Sequence, residues 1–284
     1  MTDVRTYAEA PSVNKLFVKA TLGGKGSARP GDFPDRAALI DDHRLDVEPY
    51  VRYARVTGFA VRDVVPPTWL HVLTFPLQMA LMAEADFPFG LAGLVHVRND
   101  MELLRPARIG QKVRLMARAE NPQPHAKGVI FDMVGTVHID DHLAWRGVSQ
   151  YLARGAKLPG EPPTAVRETA PEAPDAQQWR LPPDLGRQYA AVSGDANPIH
   201  LSPVTARLFG FPRPIIHGMW THARALAAFD GHLPEAYRVG VQFTKPIFLP
   251  GKVRFAQARE DGITRFVVRG KENKPHLIGR ISAL

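Results

Sequence analysis

The sequence predicts an α+β fold made of two similar halves. Short motifs recur in the same order in both halves, and each half contains one helical period followed by four strand-like runs. Between them, a segment rich in Pro, Ala and Glu has neither period, which indicates a semi-rigid linker. We therefore expect one repeat at 1–154, a linker at 155–184 and a second repeat at 185–284.

The recurrence is clearest around two tyrosines. Residues 53–60 read YARVTGFA and residues 189–196 read YAAVSGDA, with Tyr, Ala, Val, Gly and Ala at matching positions. Farther on, Arg105-Pro106 leads to a Gly-Gln-Lys-Val turn, and Lys245-Pro246 leads to Gly-Lys-Val. Several matches in one order indicate duplication rather than chance.

Each half has its own helix and strands. Apolar residues at helical spacing predict helices within Leu70–Glu84 and Ile215–Phe229, the first started or kinked by Pro76. The eight predicted strands lie at 93–104, 111–119, 129–138, 143–152, 238–243, 252–259, 264–270 and 276–282.

Composition excludes several classes of protein. The 284 residues include no cysteine, which rules out disulfides, thiolate zinc sites and a cysteine nucleophile. No apolar run could span a bilayer and the first residues do not resemble a signal peptide, so we expect a cytoplasmic protein. The net charge of +8 favours an acidic partner. Because Lys and Arg are dispersed and no nucleic-acid motif is present, we expect a phosphorylated or acidic carrier instead.

The candidate chemistry lies in one loop of the second half. Asp195 and His200 offer a carboxylate and an imidazole, and Pro198 restricts the backbone between them. Ser-Gly-Asp and Asn-Pro are also common turn sequences, so a purely structural role is the alternative. A helix is expected to begin at IIHGM, residues 215–219, where free N–H groups and the small Gly218 would form an oxyanion site.

The pattern YAxxSGDxNPIH, with the IIHGM helix start, the Lys-Pro pair and PGxV after it, resembles the MaoC-like (R)-specific enoyl thioester hydratases and dehydratases. The resemblance is strongest over 185–260 and covers the whole chain as the double hot-dog form. In that fold, an antiparallel sheet wraps a long helix in each repeat. The resemblance implies a hydro-lyase of fatty-acid or related acyl metabolism. It would hydrate trans-2-enoyl thioesters to (3R)-3-hydroxyacyl thioesters, or catalyse the reverse dehydration.

The resemblance also implies residue roles. Asp195 and His200 would hold and activate one water, and the Gly218 N–H would bind the thioester oxygen. The substrate would be a thioester of coenzyme A or of an acyl-carrier protein, with no metal or other cofactor. A homodimer of double hot-dogs is one option. The residues expected to support the loop or bind substrate are Ser193, Asn197, His217 and Met219, with Met219 either in the core or against the acyl chain.

The first half departs from this pattern. Phe59 stands where Asp195 stands in the second half, and no histidine aligns with His200. Asp63 and His71 lie nearby at different spacings. We therefore expect one active site per chain. Two other functions stay open, a hot-dog acyl thioesterase and a non-catalytic module that binds acyl thioesters.

Overall fold

The fold consists of two repeats in which strands wrap a buried helix. A computed structural model describes residues 2–22, 31–164 and 167–284. The helices are α1 (Val13–Leu22), α2 (Val47–Thr57), α3 (Pro67–Met82), α4 (Leu185–Ser193), α5 (Pro203–Leu208) and α6 (Gly218–Ala227). The strands are β1 (Asp3–Thr6), β2 (Arg36–Arg44), β3 (Leu94–Leu103), β4 (Lys112–His125), β5 (Gly128–Ile139), β6 (His142–Arg154), β7 (Asp175–Leu181), β8 (Tyr237–Phe243), β9 (Gly251–Glu260), β10 (Ile263–Arg269) and β11 (Pro275–Ala283).

The eleven strands of the described residues form one sheet in the order β1-β2-β4-β5-β6-β3-β8-β11-β10-β9-β7. The two repeats meet at the antiparallel pair β3–β8, where Asp100 lies opposite Gly240. On either side of that centre the order of equivalent strands is mirrored, as a duplicated unit with approximate two-fold symmetry requires. At the same pair of strands, Arg238 forms an ion pair with Glu102, with Nε 2.7 Å from Oε1.

The predicted elements are found, with additions. All four predicted strands of the second repeat match β8 to β11 to within one residue at each end. The predicted pattern of four antiparallel strands per repeat is incomplete, however. Each repeat has a fifth antiparallel strand before its helix, β2 or β7, and β1 pairs with β2 in parallel. In α3 the helix passes through Pro76, and 14 of its 16 residues are buried, as a central helix requires.

The prediction of a linker over 155–184 is wrong at its carboxyl end. Residues 175–181 form β7, which pairs with β9. Trp179 and Leu181 are buried while Arg180 between them is exposed, so a short alternating pattern was hidden by the surrounding proline-rich composition. The second repeat therefore begins before Asp175. The preceding residues lie on the outer face of the second repeat, where Ala170 and Ala173 pack against the sheet.

No helix in the described ranges combines the length and the apolar character needed to cross a membrane.

Candidate active site

The loop after α4 starts from a glycine in the left-handed conformation. Gly194 ends α4 with φ 74°, and Gly58 ends α2 with φ 87°. This region of backbone space favours glycine because it has no Cβ. The next residues, Asp195 and Phe59, therefore occupy equivalent positions, as the sequence alignment predicts. Phe59 is buried and stacks on Tyr53 with ring centroids 6.5 Å apart.

Side chains of the loop hold its backbone in place. Ser193 Oγ donates to the Tyr189 carbonyl (2.8 Å) and accepts from the Asp195 amide (3.2 Å). The Asn197 amide donates to Asp195 Oδ1 at 3.2 Å, and Asn197 Oδ1 accepts from the Ile199 amide at 3.3 Å. These bonds replace the regular ladder that a turn lacks. Ser193 and Asn197 thus lie where a supporting role requires them.

The His200 ring is held with one nitrogen towards the main chain. His200 is buried, and its Nδ1 lies 2.7 Å from the Ile215 carbonyl oxygen. A carbonyl only accepts, so Nδ1 carries the proton and Nε2 keeps a lone pair. Burial lowers the pKa of His200 to about 3, assisted by the neighbouring His217 and opposed by Asp195. The ring is therefore a neutral base at ordinary pH.

The Asp195 carboxyl is in the same pocket. Burial raises its pKa above the ordinary value of 3.8, while His200 and the Asn197 amide lower it. An elevated pKa next to a depressed one is the arrangement found where proton transfer occurs.

His217 contacts both candidate catalytic residues. Its ring stacks on that of His200 with centroids 3.6 Å apart. Its Nε2 donates to the Asp195 carbonyl oxygen at 2.8 Å and lies 3.8 Å from Asp195 Oδ2. Burial lowers the pKa of His217 to about 4. These contacts fit the predicted supporting role, because His217 fixes the positions of both candidate catalytic residues.

Gly218 is the first residue of α6, so its N–H belongs to the free donors at the helix start. A Cβ at this position would come within 2.9 to 3.2 Å of the Phe243 ring. The glycine is thus required by Phe243 as well as by an approaching ligand. Met219 is buried in the core and also lines the cavity, so both interpretations of this residue hold.

Asp195, His200 and His217 lie close enough together to be considered as metal ligands, since one ligand atom from each lies within 4.8 Å of the others. His200 Nδ1 and His217 Nε2 both face carbonyl oxygens, so each ring has only its other nitrogen available for a metal ion. Activity in the presence of a chelator distinguishes a metal-dependent site from a metal-independent one.

A cavity of about 870 Å³ connects this site to the first repeat. Asp195, His200 and Gly218 line one part of it. The first repeat supplies much of the remaining wall, with apolar side chains Val72, Phe75, Met79, Met82 and Leu94.

Asp63 and His71, the two polar residues noted near the degenerate motif, have different surroundings. Asp63 is exposed and pairs with Arg108, with Oδ2 2.7 Å from Nη1. His71 is buried on α3 and lines the cavity. Sequence spacing alone does not distinguish the two residues, because the direction in which His71 points depends on how α3 packs.

Three residues at or near the cavity were not predicted from the sequence, namely His222, His96 and Tyr151. His71 and His222 are the fifth residues of α3 and α6, an equivalence that aligning the helix starts could have revealed. His96 and Tyr151 line the cavity and lie opposite each other on β3 and β6. Their meeting depends on strand register, for which the sequence carries no direct signal.

A family model described as "MaoC like domain" matches residues 157–276. The 3-hydroxyacyl-thioester dehydratase X of Mycobacterium tuberculosis (strain ATCC 25618 / H37Rv) is 35% identical over 277 residues, which cover 96% of this chain and 99% of that protein. The crystal structure of HtdX of Mycobacterium tuberculosis has a TM-score of 0.78 at 34% identity, covering 88% of this chain and 100% of that chain. A MaoC-like dehydratase from Phytophthora capsici, 19% identical, has a TM-score of 0.73 over 87% of this chain and 95% of that chain, a likeness of fold alone. The predicted α+β double hot-dog fold is confirmed.

Proposed function

This chain belongs to the MaoC-like dehydratase family, and from that premise we propose that it interconverts trans-2-enoyl and (3R)-3-hydroxyacyl thioesters. The observation that supports this most strongly is the pair formed by a neutral His200 and a half-buried Asp195 beside the start of α6. The similar protein from Mycobacterium tuberculosis is named a 3-hydroxyacyl-thioester dehydratase, which agrees with this reaction.

In the hydration direction, one water binds between His200 and Asp195. His200 Nε2, whose lone pair is kept free by the bond from Nδ1, takes a proton from the water as its oxygen attacks the β-carbon. The proton that His200 Nε2 removes from the water is then delivered to the α-carbon, and the Asp195 carboxylate orients the water and shares in this transfer. Because both groups belong to one loop, both additions occur on the same face of the double bond.

Negative charge develops on the thioester oxygen during this addition. The Gly218 N–H at the start of α6 is the proposed donor, assisted by the positive end of the helix dipole. One oxyanion donor typically contributes ~10²–10³ in rate. In dehydration the same groups act in reverse order.

The first repeat has a binding role in this proposal. Phe59 at the position of Asp195 cannot transfer a proton, while α3 supplies apolar wall to the cavity. We propose that the acyl chain extends from Gly218 towards Val72 and Phe75. One active site per chain follows.

Several finer points are part of the same proposal. The carrier is coenzyme A or an acyl-carrier protein, in keeping with the basic charge of +8. A cytoplasmic location and a homodimer of double hot-dogs stay predictions, and light scattering of the purified protein tests the second.

The experiment is a spectrophotometric hydration assay with crotonyl-, octenoyl- and dodecenoyl-CoA, followed by chiral analysis of the product. We expect (3R)-3-hydroxyacyl-CoA and no free thiol, and activity that withstands a chelator. Release of free thiol without hydration would indicate the rival thioesterase. Binding without any turnover would indicate the non-catalytic module.

A further inference from the structure

Three histidines lie near one another on α3, β3 and α6. We call His71, His96 and His222 the imidazole cluster. The rings of His71 and His96 lie 6.4 Å apart between centroids. Burial lowers the pKa of His71 to about 4 and those of His96 and His222 to about 3, with the other imidazoles of the cluster as secondary causes for the latter two. All three are therefore neutral, each with one N–H donor and one lone pair.

Much of this hydrogen-bonding capacity is unused within the part of the chain that the structure describes. His71 Nδ1, His96 Nε2 and both ring nitrogens of His222 are buried and have no partner there. Buried polar side chains are normally hydrogen-bonded, and those that are not call for an explanation. An aliphatic residue of similar size would fill the same space without this penalty.

The imidazole cluster borders the substrate cavity. His71 and His96 line the cavity, together with Tyr151, whose ring stacks on His96 at 4.7 Å. Phe243 lies between this polar wall and the oxyanion site, since it contacts His96 (5.0 Å between centroids) and the Cβ position of Gly218. A chain held at Gly218 would pass Phe243 before it reaches the imidazoles.

The same helix also supplies apolar surface to the cavity. Val72, Phe75 and Met79 on α3 line the cavity beside His71. A plain hydrocarbon chain would pack against these apolar side chains and leave His71 and Tyr151 facing methylene groups. A chain with an oxygen substituent would satisfy the apolar and the polar side chains together.

We propose that the cavity selects acyl chains that carry a hydroxyl or keto oxygen several carbons from the thioester, with His71 and Tyr151 as the specificity-determining residues. This inference rests on the proposed function and adds its substrate class. A neutral imidazole and a phenol can each donate to or accept from such an oxygen. His96 positions Tyr151 by stacking on it, and His222 packs behind the cavity wall.

The test is a comparison of matched substrates. One is trans-2-dodecenoyl-CoA, and the others are the same thioester with a single hydroxyl or keto group at successive carbons from the sixth onwards. We expect kcat/KM to be roughly tenfold higher for at least one substituted position than for the plain chain, which is the value of one added hydrogen bond.

Two variants test whether His71 and Tyr151 recognise the substituent. His71→Leu and Tyr151→Phe should each bring the ratio of substituted to plain kcat/KM towards one, and His71→Leu should also raise kcat/KM for the plain chain. Tyr151→Phe removes one oxygen, which keeps the test available if His71→Leu does not fold. The exposed His232→Leu, which does not line the cavity, is the matched control and should keep the wild-type ratio.

The inference is overturned if the wild-type ratio of substituted to plain kcat/KM is one or less at every substituted carbon. It is also overturned if that ratio exceeds one and neither His71→Leu nor Tyr151→Phe changes it. Failure to hydrate any enoyl thioester is a separate result, and it counts against the proposed function rather than against the polar wall.

Discussion

Lowering the pH from 7.5 to 5.5 should remove a large part of the stability of this protein. Five histidines, four of them buried and His96 half-buried, have a depressed pKa, and desolvation is the largest cause for each. The pKa is about 4 for His71 and His217 and about 3 for His96, His200 and His222. In the unfolded chain each would titrate near 6.5.

The direction of this pH effect on stability follows from proton binding. Between pH 6.5 and about 4 the unfolded state binds these protons and the folded state does not, so stability is present above pH 6.5 and is lost as the pH falls. At pH 5.5 each imidazole costs about 1.4 kcal/mol, or about 7 kcal/mol for all five. A domain typically has only about 5–15 kcal/mol of stability.

Urea unfolding followed by circular dichroism at half-unit pH intervals measures this loss. The slope at pH 5.5 should correspond to uptake of about four to five protons on unfolding. His222→Asn should lower that uptake by about one, because His222 is buried with both nitrogens unpaired in the described structure. Stability that stays flat from pH 7.5 to 5.5 would show that these imidazoles are hydrated or already charged in the folded protein.

Three further predictions concern the site and the fold. Gly218→Val should lower kcat ~10²-fold and lower Tm as well, because its Cβ would collide with the Phe243 ring, and Phe243→Ala should restore part of both. Corrected for the folded fraction at each pH, the hydration rate should fall on acidification through an apparent pKa above 3.8, set by Asp195, and a limb at or below 3.8 would contradict the burial argument. Residues 175–284 expressed alone should aggregate, because the edge of β8 that pairs with β3 is left open; a stable, active monomer would refute this.

The strands of the second repeat were predictable because apolar residues alternate between clear turn signals. The acidic turn at residues 260–262 connects β9 to β10 as the sequence suggested. The same approach missed β7, whose alternation involves only Trp179 and Leu181 among charged and proline-rich neighbours. It also missed β1, β2 and α2, which depend on contacts with distant strands and helices rather than on their own pattern.

The candidate site was likewise predictable only in part. Asp195 and His200 were found because one short loop carries both, and Gly58 and Gly194 fix the alignment that leaves Phe59 opposite Asp195. The stacking of His217 on His200 depends on how the chain returns after α5, which local sequence does not determine.

The polar wall of the cavity depends on tertiary structure alone. His96 and Tyr151 are 55 positions apart in the chain and become neighbours only through the register of β3 and β6. His71 joins them because α3 presents that residue to the cavity.

The most direct test of the central claim is kcat for hydration of one good enoyl-CoA substrate by Asp195→Asn and His200→Ala, each shown to be folded by circular dichroism. Asp63→Asn and His232→Ala, which change exposed residues outside the cavity, are the matched controls. We expect losses of ~10²–10⁴ in kcat for Asp195→Asn and His200→Ala and wild-type rates for the controls. Near-wild-type turnover by either Asp195→Asn or His200→Ala would contradict the proposed mechanism.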